Sequence, residues 1–365
     1  MTGAEMVAHL PLNSFDPGSA IRFPNQARVH PLKYLAAVAE SIRMQGGQIF
    51  TDSHADSIEG GAIGQVKVGK HTVSAKAIVI ATNSPINDLV AIHTKQAPYM
   101  TYVIGARVPR GTVADALYWD TQEHYHYVRL QPMKGDDKSN VTDDDYDLLI
   151  VGGEDHKSGQ ANDTETRHGN LERWARERFP SIEKIEFVWG GQFMETMDGL
   201  AFIGRNPMDK DNVFIVTGDS GMGITHGTIA GLLLTDLIVG RDNPWEKLYD
   251  PSRKTLRAAG RFVKENVNVV GQYADWLTGG EVNSVDDIEF GCGAVLRRGL
   301  TKVAVYRDEQ GHATELSAVC PHLKCIIHWN GAESTWDCPC HGSRFRPEGE
   351  VINGPANANL SPAGE

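Results

Sequence analysis

The sequence predicts a large mixed α/β domain followed by a small all-β domain, and three observations support this division. Up to residue 277, helical apolar periodicities alternate with short apolar runs of strand length. Residues 278–287, TGGEVNSVDD, are rich in glycine and polar side chains, as interdomain linkers are. Residues 288–365 contain only short strand patterns and turns. We therefore predict domains at residues 1–277 and 288–365, joined by a linker at 278–287.

The elements of the first domain follow from their apolar patterns. Pro31 opens a helix in HPLKYLAAVAESIRMQGG, which two glycines stop. AKAIVIATN is a short apolar run ending in small and polar residues, which is typical of a buried parallel strand that meets a ligand crevice. Residues 101–153 mostly alternate between apolar and polar, which predicts an antiparallel sheet. The acidic insert at residues 136–147 lacks the ligand spacing of a calcium loop, so we expect a solvated loop there. NVFIVTGDSGMGITHGTIAG predicts a strand, a glycine-rich turn and a long helix.

Composition and charge exclude several classes of partner. The formal net charge is −12 and there is no long basic run, which argues against binding to nucleic acid or to anionic lipid. The longest apolar stretch, residues 227–240, is shorter than the roughly 20 residues of a membrane span, and Asp236 interrupts it. The N-terminus lacks the features of a secretion signal. We therefore expect a cytoplasmic protein with no membrane and no nucleic-acid partner.

Four of the five cysteines lie among histidines in residues 320–341. Cys320 and His322 form a C-x-H pair, and Cys338 and His341 form a C-x-x-H pair. Two thiolates and two imidazoles could bind zinc tetrahedrally. Against zinc, each pair mixes the two ligand types, two further cysteines lie on the same loops, and both loops contain Gly or Pro residues that let a backbone bend around a compact cluster.

The segments CPH, CPCHGSRF and GPA resemble the Rieske family, whose signature binds a 2Fe-2S cluster. The resemblance implies that the two cysteines of the pairs hold one iron and the two histidines hold the other. It also implies a disulfide between Cys325 and Cys340, and a hydrogen bond from Ser343 to a bridging sulfide. Phe345 stands where high-potential members have a tyrosine. Because the oxidised cluster with two thiolates is neutral, we expect a potential between about −150 and +300 mV. Because the tyrosine hydrogen bond is missing, we expect the lower or middle part of that span.

DGLAFIG and NVFIVTGDSGMGITHGTIAG resemble the C-terminal flavin motif of the D-amino-acid-oxidase-like FAD-dependent oxidoreductases, and AKAIVIATN resembles a strand of their FAD-binding sheet. In that superfamily a helix N-terminus stabilises negative charge on the reduced flavin. The implied fold is an α/β (α+β) oxidoreductase domain of this type followed by a Rieske domain. The residues implied to bind FAD are Ala81, Thr82, Asn83, Asp198, Gly199, Gly218, Asp219, Gly221, Met222, Gly223, Ile224 and Thr225.

The intact family begins with a strand and a G-x-G-x-x-G turn that holds the FAD pyrophosphate. No such element precedes HPLKYLAAVAE, and GMGITHG is one residue too long to be that fingerprint. We expect an N-terminally truncated oxidoreductase domain, with FAD bound noncovalently by the intact protein.

The resemblance also implies a substrate and an electron path. The superfamily removes hydride from a carbon beside an amine nitrogen, so we expect oxidation of an amine or amino acid, with electrons passed through the cluster to an unidentified acceptor. Tyr125, Tyr127 and Arg129 alternate along one predicted strand and could form a substrate pocket, with His124 and His126 on its other face. The alternatives are a Rieske electron-transfer module without flavin catalysis and a Rieske oxygenase component.

Overall fold

The computed structural model describes residues 5–7, 19–87, 92–134, 145–161, 163, 166–254 and 259–364. Of the predicted acidic insert, residues 136–144 lie outside this part of the chain. The chain forms two compact units. The first comprises Met1–Phe50, Thr101–Asp155 and Glu165–Gly191, and the second comprises Thr51–Met100, His156–Thr164 and Gln192–Glu365.

The strands are, in chain order, β1 (Glu5–Val7), β2 (Ala20–Arg22), β3 (Ser57–Glu59), β4 (Gly64–Val68), β5 (His71–Ala75), β6 (Ile78–Ile80), β7 (Gln96–Pro109), β8 (Tyr118–Trp119), β9 (His126–Met133), β10 (Tyr146–Lys157), β11 (Lys184–Thr196), β12 (Phe202–Arg205), β13 (Val213–Thr217), β14 (Cys292–Arg298), β15 (Thr301–Arg307), β16 (Ala313–Ser317), β17 (His328–Asn330), β18 (Thr335–Asp337), β19 (Arg344–Phe345) and β20 (Val351–Asn353). The α-helices are α1 (Pro31–Met44), α2 (Arg167–Arg178), α3 (Gly223–Val239), α4 (Glu246–Tyr249) and α5 (Ala259–Gln272).

The first unit contains α1, α2 and much of a five-stranded sheet with the order β11-β7-β10-β9-β8. The pairing of β9 with β10 is antiparallel, as the alternating pattern predicted. Val103, Leu148 and Ile150 form a buried cluster on this sheet. Helix α1 begins at Pro31 as predicted and ends before Gly46, whose φ of 83° a residue with a side chain rarely adopts.

The second unit brings together segments that are distant in sequence. Its central sheet has the order β12-β13-β6, and β6 runs parallel to β13, as the apolar run AKAIVIATN predicted. Helix α3 follows β13 and packs its buried leucines and Ala230 on Ala201, Ile203 and Phe214. The all-β part contains two sheets with the orders β14-β15-β16 and β17-β18-β19-β20, around a core that includes the fully buried Trp336 and Phe345.

The segment at residues 278–287 carries a short 3-10 helix at Val285–Asp287. Ser284 and Asp287 cap it reciprocally. The linker placed at these residues stays a prediction. Among the described helices, none is long and apolar enough to cross a membrane.

Candidate functional site

Two tight loops hold the four predicted metal ligands. In the first loop, which connects β16 to β17, the Cys320 amide donates to the Cys325 carbonyl over 2.9 Å and the Lys324 amide donates back to the Cys320 carbonyl over 3.0 Å. In the second loop, which connects β18 to β19, the Cys338 amide donates to the Ser343 carbonyl over 2.8 Å. These bonds close each loop on itself and satisfy its backbone amides and carbonyls.

The structure brings the four side chains together in the second unit. Cys320 and Cys338 are each only 1% exposed, and neither is in a disulfide. Hydrogen bonding to Cys338 lowers the pKa of Cys320 from 9.0 to about 7, while the same contact and burial raise the pKa of Cys338. The rings of His322 and His341 lie 5.0 Å apart between centroids and nearly perpendicular. Thus the two thiols contact each other across the two loops, and so do the two imidazole rings.

The donor set fits a metal cluster. Burial, together with the nearby His322 and His93, lowers the pKa of His341 to about 3, so its imidazole is neutral and can act as a ligand. The Nδ1 atom of His341 is buried, and within the described chain it makes no hydrogen bond. A buried polar atom of this kind costs about 1–3 kcal/mol unless a partner satisfies it. A metal ion at Nδ1 would remove that cost.

The disulfide between Cys325 and Cys340 is present, as predicted, and links the two ligand loops. The sulfur atoms of Cys325, Cys338 and Cys340 lie within 4.8 Å of one another. The Ser343 hydroxyl accepts a hydrogen bond from the Ala356 amide over 3.0 Å, and a hydrogen bond between Ser343 and Cys320 helps to lower the pKa of that thiol. The predicted bond from Ser343 to a bridging sulfide stays a prediction.

Side chains that precede the all-β part in the sequence form hydrogen bonds with the second ligand loop. Gln160 Nε2 donates to the Pro339 carbonyl over 2.9 Å, and Gln192 Nε2 donates to the Gly342 carbonyl over 2.9 Å. A Cβ on Gly342 would lie 2.4 Å from Pro98 Cβ, and Gly342 has a φ of 83°. Only glycine fits this contact, so the loop and its neighbours pack without space for a side chain.

The segment that follows α5 holds the first ligand loop. The hydroxyl of Tyr273 donates to the Leu323 carbonyl over 2.6 Å, and the indole N–H of Trp276 donates to the Lys324 carbonyl over 2.9 Å. Both ligand loops are therefore fixed by partners that lie before residue 278 in the chain. Contacts of this kind orient the side chains that bind the metal directly and restrict their movement.

Sequence reasoning missed His93, which lies against both ligand histidines. Its ring centroid is 4.9 Å from that of His322 and 5.8 Å from that of His341, and the side chain is 3% exposed. It opens a short 3-10 helix, His93–Lys95. A single histidine far from the cysteine loops has no spacing that marks it, so only the fold could identify it.

The predicted flavin segments meet at the ends of the parallel strands β6 and β13. The hydroxyl of Thr217, the last residue of β13, donates to the Asn83 carbonyl over 2.5 Å. Gly218 follows with a φ of 72°, and a Cβ there would lie 2.3 Å from Thr196 Cγ2. The carboxyl ends of neighbouring parallel strands are where ligands bind in α/β sheets. The segment 81–83 and the turn at 218–222 therefore share one edge.

The turn and the start of α3 fit an anionic cofactor group. Met222, at the N-cap, makes no side-chain cap hydrogen bond, and a Cβ on Gly221 would have no atom within 4 Å. The amides of Gly223, Ile224 and Thr225 begin the helix, where the dipole favours negative charge. Burial raises the pKa of Asp219, whose carboxylate lies at the turn and accepts a hydrogen bond from the Gly221 amide over 3.4 Å. The amides at the start of the helix are the part of this turn that suits reduced flavin.

Asp198 has a structural partner in this unit. Arg253 donates to the Asp198 carboxylate from Nε and Nη2, each over 2.8 Å. The ion pair is mostly buried. It fixes the loop that contains Gly199 at its tip, where φ is 77°. The carboxylate is thereby occupied, so contact of Asp198 or Gly199 with FAD stays a prediction that rests on their backbone.

The predicted substrate residues lie in the first unit. Tyr125, Tyr127 and Arg129 are half-buried and alternate with buried residues, as the sequence pattern suggested. The rings of Tyr125 and Tyr127 lie 6.4 Å apart between centroids, and the Trp119 ring lies 5.7 Å from Tyr125. His126, on the other face, stacks on a tryptophan at 4.2 Å. The three residues thus share one aromatic face, and its use as a pocket stays a prediction.

The fold and these two constellations define a redox protein with a Rieske-type metal centre and a flavin-type turn. Residues 1–237 match the family model of the FAD dependent oxidoreductases, and residues 280–363 match the Rieske [2Fe-2S] domain. The chain therefore belongs to the FAD dependent oxidoreductase family and carries a C-terminal Rieske domain. These two domains indicate FAD and a 2Fe-2S cluster as the cofactors.

The chain is similar to a protein with the same domain combination. It is 30% identical, over 344 residues, to YhfW of Bacillus subtilis (strain 168), which is named as a Rieske 2Fe-2S iron-sulfur protein. The match covers 92% of this chain and 64% of that relative, so the chain spans less than two thirds of the relative's length.

Two solved structures share the fold of the larger part. Glycine oxidase from Geobacillus kaustophilus superposes with a TM-score of 0.51 at 19% identity, covering 65% of this chain and 62% of that one. L-proline dehydrogenase from P. horikoshii superposes with a TM-score of 0.51 at 20% identity, covering 65% and 63%. At this level of identity, the similarity shows the fold alone.

Proposed function

We propose that the protein oxidises an amine or amino acid with FAD and passes the electrons through its Rieske cluster to a one-electron acceptor. The observation that carries the proposal is that the flavin turn at 218–222 and all four metal ligands lie in the same compact unit. With FAD as a two-electron carrier and the cluster as a one-electron carrier in one unit, the protein could accept a pair of electrons from the substrate and pass them on one at a time.

The balance of the reaction is simple. A C–H group beside an amine nitrogen loses two electrons and two protons and becomes an imine, which water can hydrolyse. FAD supplies a two-electron acceptor and the 2Fe-2S cluster a one-electron carrier when both are bound. Two molecules of a one-electron acceptor are then reduced for each substrate oxidised.

The chain's own residues orient the cofactors and stabilise charge. The amides of Gly223, Ile224 and Thr225 favour negative charge at the start of α3, and Gly221 leaves room for a flat ring to approach the backbone. The paired loops bury both thiols and the His341 imidazole, and the His322 side chain is half-buried. No catalytic base on the protein is needed for hydride removal from a neutral amine.

The substrate class is supported by two lines of reasoning. The names of the two similar structures, glycine oxidase and L-proline dehydrogenase, refer to amino acids. Arg129 lies on the same face of its strand as Tyr125 and Tyr127, and a guanidinium with aromatic rings on one face suits a carboxylate next to an apolar or aromatic group. We therefore place amino acids and secondary amines first among the candidate substrates.

The test is an anaerobic screen of the FAD-loaded protein with a panel of amino acids and secondary amines. We expect one class to bleach the flavin absorption and, without added mediator, to produce the electron-spin resonance (EPR) signal of the reduced cluster. Bleaching without the cluster signal would contradict electron transfer to the Rieske centre. A cluster that is reduced only by dithionite, with no FAD bound, would instead favour an electron-transfer module without flavin catalysis.

A further inference from the structure

We propose that the segment His93–Gln96 is the bridge that carries electrons from the flavin turn to the histidine-bound iron. His93 contacts the cluster ligands, and Gln96 contacts the flavin turn. This inference rests on the proposed function, because it assumes that FAD binds at that turn. It assigns a role to a segment that has none of the spacing signals used to identify the cofactor sites.

At the cluster end, the contact is made by the ring of His93. It meets the rings of His322 and His341 edge to face, at centroid distances of 4.9 Å and 5.8 Å. The ring is 3% exposed, so bulk water does not separate it from the ligands. Both ligands of one iron are therefore in van der Waals reach of a single side chain, and the cysteine-bound iron has no part in this contact.

At the flavin end, the contact is made by Gln96. The hydroxyl of Thr217 donates to Gln96 Oε1 over 3.1 Å, and a Cβ on Gly218 would lie 3.1 Å from the same oxygen. Gln96 is 5% exposed, and its Nε2 atom has no hydrogen-bond partner within the described residues. An unsatisfied buried amide donor beside the turn is costly, and an acceptor atom on a bound cofactor would satisfy it.

Between these ends, the backbone is short and held in place. The Lys95 amide donates to the Ile92 carbonyl over 2.9 Å, and the Lys95 ammonium donates to the Pro251 carbonyl over 2.7 Å. Asn266 Nδ2 donates to the Thr94 carbonyl over 3.0 Å. Contacts from two other segments thus fix the two residues, Thr94 and Lys95, that lie between the contact side chains. A rigid, packed path favours electron tunnelling, because the rate of tunnelling falls steeply with distance and falls further where the path crosses an empty gap.

The electron balance is unchanged by the bridge. Each passage moves one electron from the reduced flavin to the cluster and converts one ferric ion to ferrous. Two passages, each followed by reoxidation of the cluster by a one-electron acceptor, return the flavin to its oxidised form. The protons from the substrate leave to solvent.

The experiment uses the full chain loaded with both cofactors under anaerobic conditions. A light flash in the presence of excess EDTA, the sacrificial electron donor, reduces the flavin, and the visible absorption of the cluster reports its reduction with time. The variants are His93→Phe, which keeps a ring of similar size, and Gln96→Leu, which keeps the volume but not the polar end. The matched controls, His71→Phe and Gln65→Leu, lie exposed on β5 and β4 of the same unit.

We expect both bridge variants to slow cluster reduction, because phenylalanine replaces the imidazole that contacts the ligand rings and leucine removes the amide oxygen that accepts from Thr217. For His93→Phe the expected loss is about 10- to 100-fold, the usual effect of altering a group beside a metal ligand. Both controls should match the parent rate. The EPR spectrum of dithionite-reduced protein gives a second readout. It should show shifted g values in His93→Phe, whose ring touches the ligands, and unchanged values in Gln96→Leu.

The outcomes separate this inference from the proposed function. If the parent protein binds FAD and cluster but its flash-reduced flavin does not reduce the cluster, the proposed function is wrong. If the parent transfers electrons and both bridge variants do so at the parent rate, the bridge is wrong. If His93→Phe loses its cluster, the test depends on Gln96→Leu alone. Slower cluster reduction in Gln96→Leu than in the parent supports the bridge, and cluster reduction at the parent's rate overturns it.

Discussion

At the scale of single residues, the metal centre needs two kinds of ligand atom in different charge states. The cysteine sulfur must be a negatively charged thiolate, and the histidine imidazole must be neutral. Hydrogen bonds favour the thiolate form of Cys320, and burial keeps His341 neutral. Both are the forms that bind metal. The sequence predicts the ligand set because C-x-H and C-x-x-H spacing places each pair on one tight loop.

We predict that Cys338→Ser abolishes the cluster. A serine hydroxyl does not ionise near neutral pH, and the buried site would keep only one thiolate. The visible absorption and EPR signal of the cluster should disappear, and iron content should fall towards zero. Cys292→Ser is the control, because Cys292 lies on β14 outside the ligand loops. An unchanged cluster spectrum in Cys338→Ser would contradict the ligand assignment.

His328 gives a prediction about pH. Its Nδ1 lies 2.7 Å from a Glu281 carboxylate oxygen and its Nε2 lies 3.1 Å from an Asp275 oxygen. Burial tends to lower the pKa of His328, but these two carboxylates outweigh it and raise the pKa. The stabilisation is therefore complete below the unfolded pKa of about 6.5. It is lost as pH rises through the raised folded pKa.

His328→Gln should accordingly lower the free energy of unfolding by about 1–3 kcal/mol at pH 6 and by less at pH 9. Urea unfolding at the two pH values measures this difference. His71→Gln, at an exposed position, should show no such dependence. An equal loss at both pH values would mean that the charge on His328 does not contribute.

Residues without a local pattern could not be predicted. His93 and Gln96 reach the site because the chain before β7 turns past the ends of β6 and β13, and no periodicity encodes that path. Asp198 stays a predicted FAD-binding residue, and the partner of its carboxylate, Arg253, lies more than 50 residues later, where no spacing indicated it. Such long-range partners depend on packing, not on spacing.

At the scale of elements, the flavin turn combines three residues with positive φ. Gly218 and Gly221 both have φ near 75°, and Ser220 between them has a φ of 50°. The sequence predicted the strand, turn and helix from apolar runs and glycines. It did not show that a serine would adopt the left-handed conformation between two glycines, because the turn's neighbours decide that.

Gly218→Ala should destabilise the protein by about 2–4 kcal/mol, since alanine would need a left-handed φ and would overlap Thr196. FAD affinity should fall with it. Gly227→Ala, inside α3 where a Cβ meets nothing within 4 Å, is the control. Gly227→Ala should leave the free energy of unfolding unchanged or raise it by up to about 1 kcal/mol. Thermal unfolding and flavin fluorescence measure both effects, and equal behaviour of the two variants would contradict the account of this turn.

The disulfide that joins the two ligand loops should contribute about 3 kcal/mol to stability, because Cys325 and Cys340 are 15 residues apart in sequence. The double variant Cys325→Ala/Cys340→Ala should lose that amount in urea unfolding of the oxidised protein. The comparison with the parent under reducing conditions is the control, because reduction should bring the parent to the same stability. A parent that reduction leaves unchanged would show that the bond does not stabilise the fold.

At the scale of the whole molecule, each of the two compact units is built from segments that are separated in the sequence. The all-β part shares a compact unit with residues 51–100 and 192–277, so the metal loops are held by side chains such as Gln192 and Trp276. The fold class could be predicted because helical and strand periodicities are local. The grouping of segments could not, because tertiary packing alone determines it.

The central claim is that two cysteines and two histidines hold a diiron cluster, with the histidines on one iron. Pulsed EPR of the anaerobically purified, reduced protein, grown with and without nitrogen-15 histidine, tests it most directly. The account predicts a Rieske signal coupled to two histidine nitrogens, with couplings that change on labelling. A protein that holds zinc, or an iron–sulfur signal without histidine couplings, would contradict it.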